Sequence, residues 1–230
     1  MDRTQLLSLN EQAVRLRETG DLENSLPLFE QIATELSQLR DSKDIEDQNA
    51  YVGLMGEQNI THRHVHKRSF STSLKDASEI YAWAKKQHIT PPYLGYSLRG
   101  ISNTLLDMGK YEEAESYLRL LFQSLDPHNS AYLGDNEAHI AQCLLRIGKC
   151  NDAAKLIDSA LEKIHTNSSN QDSMRLAVWE SHALMVKGLI LNSQDHSPQA
   201  IEQLQMSLHI AKSHSLSLRI SEVSSLLETL

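Results

Sequence analysis

Residues 61–68 of this chain hold three histidines and three fixed cations. His62 and His66 are four residues apart, so on a helix they would share one face and could contact one metal ion. The sequence alone places no Cys, Asp or Glu beside them to complete a zinc site, and we therefore predict no metal ligands. Two other interpretations stay open. His62, Arg63, His66 and Lys67 could form an anion patch that gains charge on acidification, because free histidine titrates at about pH 6.5. They could equally form a solvated basic helix end.

Arg99 and Asn103 are a second pair at helical spacing. A guanidinium can fork onto a carboxylate while a neighbouring amide donates a hydrogen bond beside it. We expect Arg99 to be exposed, so that Arg99→Glu would weaken binding of a partner and leave stability nearly unchanged.

Catalytic signatures are missing from the sequence. It contains no phosphate-cradling glycine loop, no His-Glu-x-x-His motif and no nucleophilic serine elbow. Cys143 falls in the middle of a helical run and is predicted to be buried, while Cys150 falls in a turn beside Lys149. We therefore expect a protein that is not an enzyme and needs no cofactor.

Composition limits the partners and the compartment. The chain has 230 residues, of which 22 are basic and 30 acidic, for a net charge of −8. This charge argues against bulk affinity for nucleic acid. Nothing near the first residue resembles a signal peptide, and Lys187 interrupts the most apolar stretch, so we expect no membrane association. Two cysteines are too few for a disulfide framework. A cytoplasmic location is predicted.

Helical periodicity runs through almost the whole chain. Apolar residues recur three and four positions apart, as at Leu98, Ile101 and Leu105, and no strand-like alternation is long enough to compete. Breaker residues divide the chain into five helix pairs, roughly 3–40, 45–87, 92–125, 130–165 and 171–213, followed by a last helix at 215–230. We predict an all-α solenoid that forms a single domain over 1–230. Its tight turns are assigned to glycines in the left-handed conformation, namely Gly20, Gly109 and Gly148.

The pairs repeat a recognisable pattern of bulky, small, large apolar and turn residues. It is clearest in Leu98, Ser102, Leu105, Gly109 and Ala114, and it returns in Leu9, Ala13, Leu16, Gly20 and Ser25. The fourth pair keeps Ala141, Leu144, Gly148 and Ala153, with Glu137 at the bulky position. The fifth pair keeps Leu184, Gly188, Leu191 and Ala200 but lacks the turn glycine, and the second pair diverges most. This pattern resembles the tetratricopeptide repeat (TPR).

The resemblance implies a right-handed superhelix in which the first helix of each pair lines a concave groove. Peptides or proteins are the usual ligands of such grooves, and some members hold a terminal carboxylate with a basic residue and an asparagine. The groove residues expected here are Tyr96, Arg99, Asn103, Asp135, His139, Gln142, Arg146, Met185 and Leu189.

Three functions are compatible with this reading. We expect a non-catalytic scaffold or adaptor that binds a protein or peptide segment. The alternatives are a regulator that senses a signalling peptide and, from another class, a metal-dependent enzyme. The last helix could cap the array or form a homodimer through an apolar stripe of Leu216, Leu218, Ile220, Val223, Leu226 and Leu227.

Overall fold

A computed structural model describes residues 1–64, 69–166 and 172–230, without the side chains of His64 and Pro92. Within these ranges the chain forms eleven α-helices and no strand, which confirms the all-α prediction. The helices are α1 (Arg3–Glu18), α2 (Leu22–Asp41), α3 (Ile45–His64), α4 (Phe70–Lys86), α5 (Pro91–Asp107), α6 (Tyr111–Ser124), α7 (Ser130–Arg146), α8 (Cys150–His165), α9 (Ser173–Ser193), α10 (Ser197–Ser213) and α11 (Ser217–Glu228).

The helices group into two compact units. Unit 1 comprises Met1–Ser124, with α1 to α6, and unit 2 comprises Leu125–Leu230, with α7 to α11. The single domain over 1–230 stays a prediction. Among the described helices, none is both long and apolar enough to cross a membrane.

Left-handed residues make the tight turns, as predicted. Gly20, Gly109 and Gly148 have φ angles of 83°, 73° and 83°. Each ends a first helix in a geometry that a side chain would strain. Asp195 takes the same role between α9 and α10, with a φ of 62°. A residue that carries a Cβ thus replaces the glycine that the fifth pair lacks.

Small residues let the paired helices of unit 1 approach closely. Ser25 on α2 is fully buried, and its hydroxyl donates to the carbonyl oxygen of Ala13 on α1 at 2.8 Å. Ala114 on α6 is likewise fully buried. Larger apolar side chains, including Leu6, Phe29, Ile32 and Leu54, form the core between α1, α2 and α3. The first helices are therefore fixed in place by their second helices and by each other.

In unit 2, α7 packs against α8 and α9, and its approach to α8 is especially close. A Cβ added to Gly134 on α7 would lie 2.5 Å from the carbonyl oxygen of Ala160 on α8. Glu137, at the position where the repeat usually has a bulky apolar residue, accepts hydrogen bonds from Ser159 and Lys163 on α8. A charged network thus occupies the position that the buried Leu98 fills in the third pair.

The last helix packs onto unit 2. Leu216 and Val223 are buried, and Ile220 packs against a cluster that contains Ala177 of α9 and Ala211 of α10. Leu218 is exposed. Three of the six residues of this apolar stripe therefore pack within the unit, as expected of a capping helix. The homodimer through this helix stays a prediction.

Candidate functional site

The first helices of unit 1 are α1, α3 and α5, and α3 contacts both of the others. Two asparagines on the outer members of this set have an unsatisfied atom. Asn10 on α1 and Asn103 on α5 are half-buried, and the side-chain oxygen of each is shielded from solvent without a hydrogen-bond donor among the described residues. A buried acceptor left in this state costs about 1–3 kcal/mol. A ligand that draws either side-chain amide outward and donates a hydrogen bond to its oxygen would remove that cost.

Tyr96 and Arg99 lie on the same helix as Asn103, and they differ in exposure. Tyr96 is half-buried, with its ring 6.4 Å from that of Tyr93. Its Cβ would lie 2.9 Å from a Cβ added to Gly56 of α3, so this glycine lets the two helices meet. Arg99 is only 6% exposed.

The burial of Arg99 corrects the expectation that it lies on an open face. Because α5 packs against α3, α4 and α6, little of its surface reaches solvent. Replacing Arg99 by Glu would bury a carboxylate in place of a guanidinium. The substitution would therefore lower the stability of the fold as well as change the affinity for any ligand. Asn103, one turn further along, is the better probe of this face.

A buried ion-pair network that was not predicted from the sequence fixes α1 against α3. The Arg17 guanidinium lies 3.1 Å from a carboxylate oxygen of Glu57 and donates to the Thr61 hydroxyl at 3.0 Å. It also lies 2.7 Å from the carboxylate of Glu18. Burial alone would lower the pKa of Arg17, but Glu57 and Glu18 outweigh it and raise that pKa above its usual value. Arg17 therefore positions the face that carries Asn10.

Arg63 belongs to the predicted anion patch at the end of α3, but it is buried in an ion pair. Arg63 is 7% exposed, and its guanidinium lies 2.7 Å from a carboxylate oxygen of Asp107 on α5. Its charge is therefore neutralised by a structural ion pair, which corrects the expectation that Arg63 faces an incoming anion. His62 is half-buried. His66 and Lys67 lie outside the described residues.

In unit 2 the predicted residues Asp135, His139 and Gln142 follow one another along α7, and a fourth group joins them. His182 on α9 has its ring centroid 4.2 Å from that of His139, and its Nε2 lies 3.3 Å from Oε1 of Gln142. The Nδ1 atom of His139 donates to the main-chain oxygen of Asp135 at 2.9 Å. Asp135 and His182 are each 5% exposed. The result is a compact polar cluster between two first helices.

His182 was not among the residues predicted from the sequence, although the repeat register contains a signal for it. His182 follows Asp135 by 47 residues, the spacing that separates the aligned small residues Ala153 and Ala200. His182 therefore occupies in α9 the position that Asp135 occupies in α7. Helical periodicity alone would assign it to an apolar run.

The remaining predicted groove residues of unit 2 are placed unequally. Arg146 is exposed at the end of α7, and Leu189 on α9 is half-buried. Met185 is 1% exposed, and its sulfur lies 3.2 Å from Nη1 of Arg219 on α11. This burial corrects the expectation of Met185 as an open apolar floor, because α11 covers that part of α9. Cys143 is buried as predicted, and Cys150 is half-buried.

Comparison with known proteins identifies the fold. No protein-family model and no curated protein matches the chain. Solved structures do match. BtubC (BKLC) from P. vanneervenii is 11% identical, with 92% of this chain and 81% of that chain covered and a TM-score of 0.63. The apo form of RapI is 11% identical, with 98% and 84% covered and a TM-score of 0.61.

A third similar structure is of a protein built from TPR-like repeats. A Podosopora anserina protein with nearly identical TPR-like repeats is 15% identical, with 92% of this chain and 98% of that chain covered and a TM-score of 0.56. The chain therefore has the fold of TPR-like helical repeats, as the sequence pattern indicates. Identities this low establish the fold and leave the function to be argued from the site.

Proposed function

We propose that this chain is a non-catalytic scaffold or adaptor that binds an extended peptide segment of a partner protein on the first-helix face of unit 1. The observation that carries the proposal is the pair of shielded, unsatisfied amide oxygens of Asn10 and Asn103. An extended peptide has main-chain N–H groups without partners of their own, and these are the donors that the two asparagines lack.

The spacing of the helices suits such a ligand. Packed helix axes are about 8–10 Å apart, so α1 and α5 would be separated by roughly 20 Å across α3. An extended peptide of about six residues spans the same distance at roughly 3.3 Å per residue. One segment that crosses α3 could therefore contact Asn10 and Asn103 together, and the half-buried ring of Tyr96 would lie beside its path.

Arg17 and Arg99 act indirectly in this proposal. Both are almost fully buried, so neither supplies an open positive surface, and Arg17 holds α1 against α3. The ligand is therefore recognised mainly through main-chain hydrogen bonds, and the proposal does not require a terminal carboxylate. Nucleic acid and membrane are not proposed as partners.

The proposal is tested with a random twelve-residue peptide library displayed on phage and selected against the full chain. The affinities of the selected peptides are then measured for the wild type, for the double variant Asn10→Ala, Asn103→Ala, and for Gln38→Ala. Gln38 is an exposed residue on α2 whose side-chain amide donates to Glu35 on the same helix, and it serves as the matched control.

The expected result is a loss of fivefold or more in the double variant, since two net hydrogen bonds contribute about 1–3 kcal/mol together. The control variant should bind like the wild type. Circular dichroism of all three proteins shows whether a loss reflects unfolding. Peptides that bind wild type and double variant equally well would refute this face as the binding site.

A further inference from the structure

We propose that Asp135, His139 and His182 bind one divalent transition-metal ion, which we take to be Zn²⁺. A carboxylate oxygen of Asp135 and one ring nitrogen of each histidine all lie within 4.8 Å of one another. Two imidazoles and a carboxylate are a ligand set that zinc favours. The site belongs to unit 2 and is independent of the peptide-binding proposal for unit 1.

Two elements supply the ligands, which gives the site a rigid base. Asp135 and His139 are four residues apart on α7 and share one helix face, while His182 comes from α9. The close packing of α7 on α8 at Gly134, next to Asp135, restricts how far that end of α7 can move. Asp135 and His182 are almost fully buried, whereas the side chain of His139 is 18% exposed. An ion could therefore enter from the side of His139.

The hydrogen bonds of the two histidines show which nitrogen of each ring faces an oxygen. In the ion-free chain the Nδ1 atom of His139 donates to the carbonyl oxygen of Asp135 and also lies 3.5 Å from a carboxylate oxygen of that residue. An ion bound through Nε2 would keep this hydrogen bond, and an ion bound through Nδ1 would replace it. Donation from Nε2 of His182 to the Gln142 side-chain oxygen places the lone pair of His182 on Nδ1. Hydrogen bonds of this kind, from the non-ligating nitrogen to an oxygen, accompany most histidine–metal bonds and set the ring orientation.

Closing the site around an ion requires a modest movement. Bonds of about 2 Å in a tetrahedral zinc site place the ligand atoms roughly 3.3 Å apart. The separations of up to 4.8 Å would thus shorten by an amount that side-chain rotation can supply. Three protein ligands would leave a fourth position open for water or for an anionic group. A bound cation would also compensate the buried Asp135 carboxylate.

The first test titrates the untagged full chain with Co²⁺, followed by visible d–d absorption, and then displaces the Co²⁺ with Zn²⁺. Wild type, His139→Gln, His182→Gln and the control His209→Gln are compared, because His209 is an exposed histidine on α10. We expect one equivalent to bind the wild type and the control. We also expect at least a tenfold loss of affinity in each of the other two variants. Absence of a stoichiometric complex, or unchanged affinity in both ligand variants, would overturn the proposal.

A second measurement covers the case in which a variant fails to fold. Histidine side-chain NMR of the wild type, recorded with and without Zn²⁺, should show the resonances of His139 and His182 shifting together while that of His209 stays in place. Shifts confined to other histidines, including His62, would place the ion elsewhere and also overturn the proposal. Zn²⁺ should raise the melting temperature of the wild type, and EDTA should reverse the effect.

Discussion

Replacing Gly134 by Ala is the sharpest test of how the repeat packs. The added Cβ would lie 2.5 Å from the carbonyl oxygen of Ala160, 2.9 Å from Cγ1 of Ile164 and 3.0 Å from its main-chain nitrogen. Two of these three atoms belong to the backbone of α8, which cannot turn aside as a flexible side chain could. Helices α7 and α8 would have to separate locally by nearly 1 Å to restore contacts of about 3.5 Å.

The size of the effect follows from two opposing terms. Overpacking of this kind costs about 1–3 kcal/mol, and the upper part of that range applies because the obstacle is backbone. Alanine in a helix interior recovers about 0.5–1 kcal/mol relative to glycine. The net loss expected for Gly134→Ala is therefore about 2 kcal/mol.

Gly148 provides the matched control because its constraint is purely conformational. A Cβ there would meet no described atom within 4 Å, but its φ is 83°. Gly148→Ala should cost about 1 kcal/mol from left-handed strain. Gly148→Asn should cost less than Gly148→Ala, because asparagine tolerates that region.

The assay is urea unfolding of the three variants and the wild type, followed by circular dichroism at equilibrium. The expected order of stability is wild type, then Gly148→Asn, then Gly148→Ala, then Gly134→Ala. A Gly134→Ala protein as stable as the wild type would refute the close approach of α7 to α8. Equal losses for Ala and Asn at position 148 would contradict the left-handed turn.

Four further substitutions test separate parts of the account. Asp195→Gly should change the free energy of unfolding by less than about 0.5 kcal/mol in the same urea assay, because aspartate tolerates the left-handed region and glycine adds entropy to the unfolded chain. Arg17→Met should lower the free energy of unfolding by about 3 kcal/mol, since the substitution leaves the partly buried Glu57 carboxylate without its cation. A loss below about 1 kcal/mol would show that this ion pair does not fix α1 to α3. Arg99→Glu should lower the melting temperature clearly, and an unchanged melting temperature would indicate that Arg99 is exposed after all. Burial raises the pKa of Tyr51 above its unfolded value. The stability that neutral Tyr51 contributes is therefore present below about pH 10 and is lost as pH rises through the folded pKa. In unfolding curves at alkaline pH, the Tyr51→Phe variant should lose less stability than the wild type loses.

The local features of this fold could be predicted from the sequence because they depend on neighbours a few residues apart. The three- and four-residue spacing of apolar side chains indicates the helices, and Gly20, Gly109 and Gly148 occupy left-handed turns as predicted. Each needs only a single turn of backbone to specify it. The TPR-like pattern joins such local signals along the chain and led to the correct fold.

The candidate sites were less predictable because they depend on contacts between distant segments. Arg63 and Asp107, like Arg17 and Thr61, are 44 positions apart, so their pairing requires the packed first helices. The same packing buries Arg99, which spacing alone places on a polar face. His182 joins Asp135 and His139 only when α9 lies against α7.

The central claim, a peptide that bridges α1 and α5, is tested most directly by the side-chain amide resonances of Asn10 and Asn103. A selected peptide is titrated into the isotope-labelled full chain, and each amide signal is assigned by its loss in the corresponding Asn→Ala variant. Asn24 on α2, whose amide hydrogen-bonds to Asp21, is the internal control. The account predicts that the signals of Asn10 and Asn103 shift together at one peptide per chain while that of Asn24 does not. The account would be contradicted if the signal of Asn24 shifts while the signals of Asn10 and Asn103 stay in place.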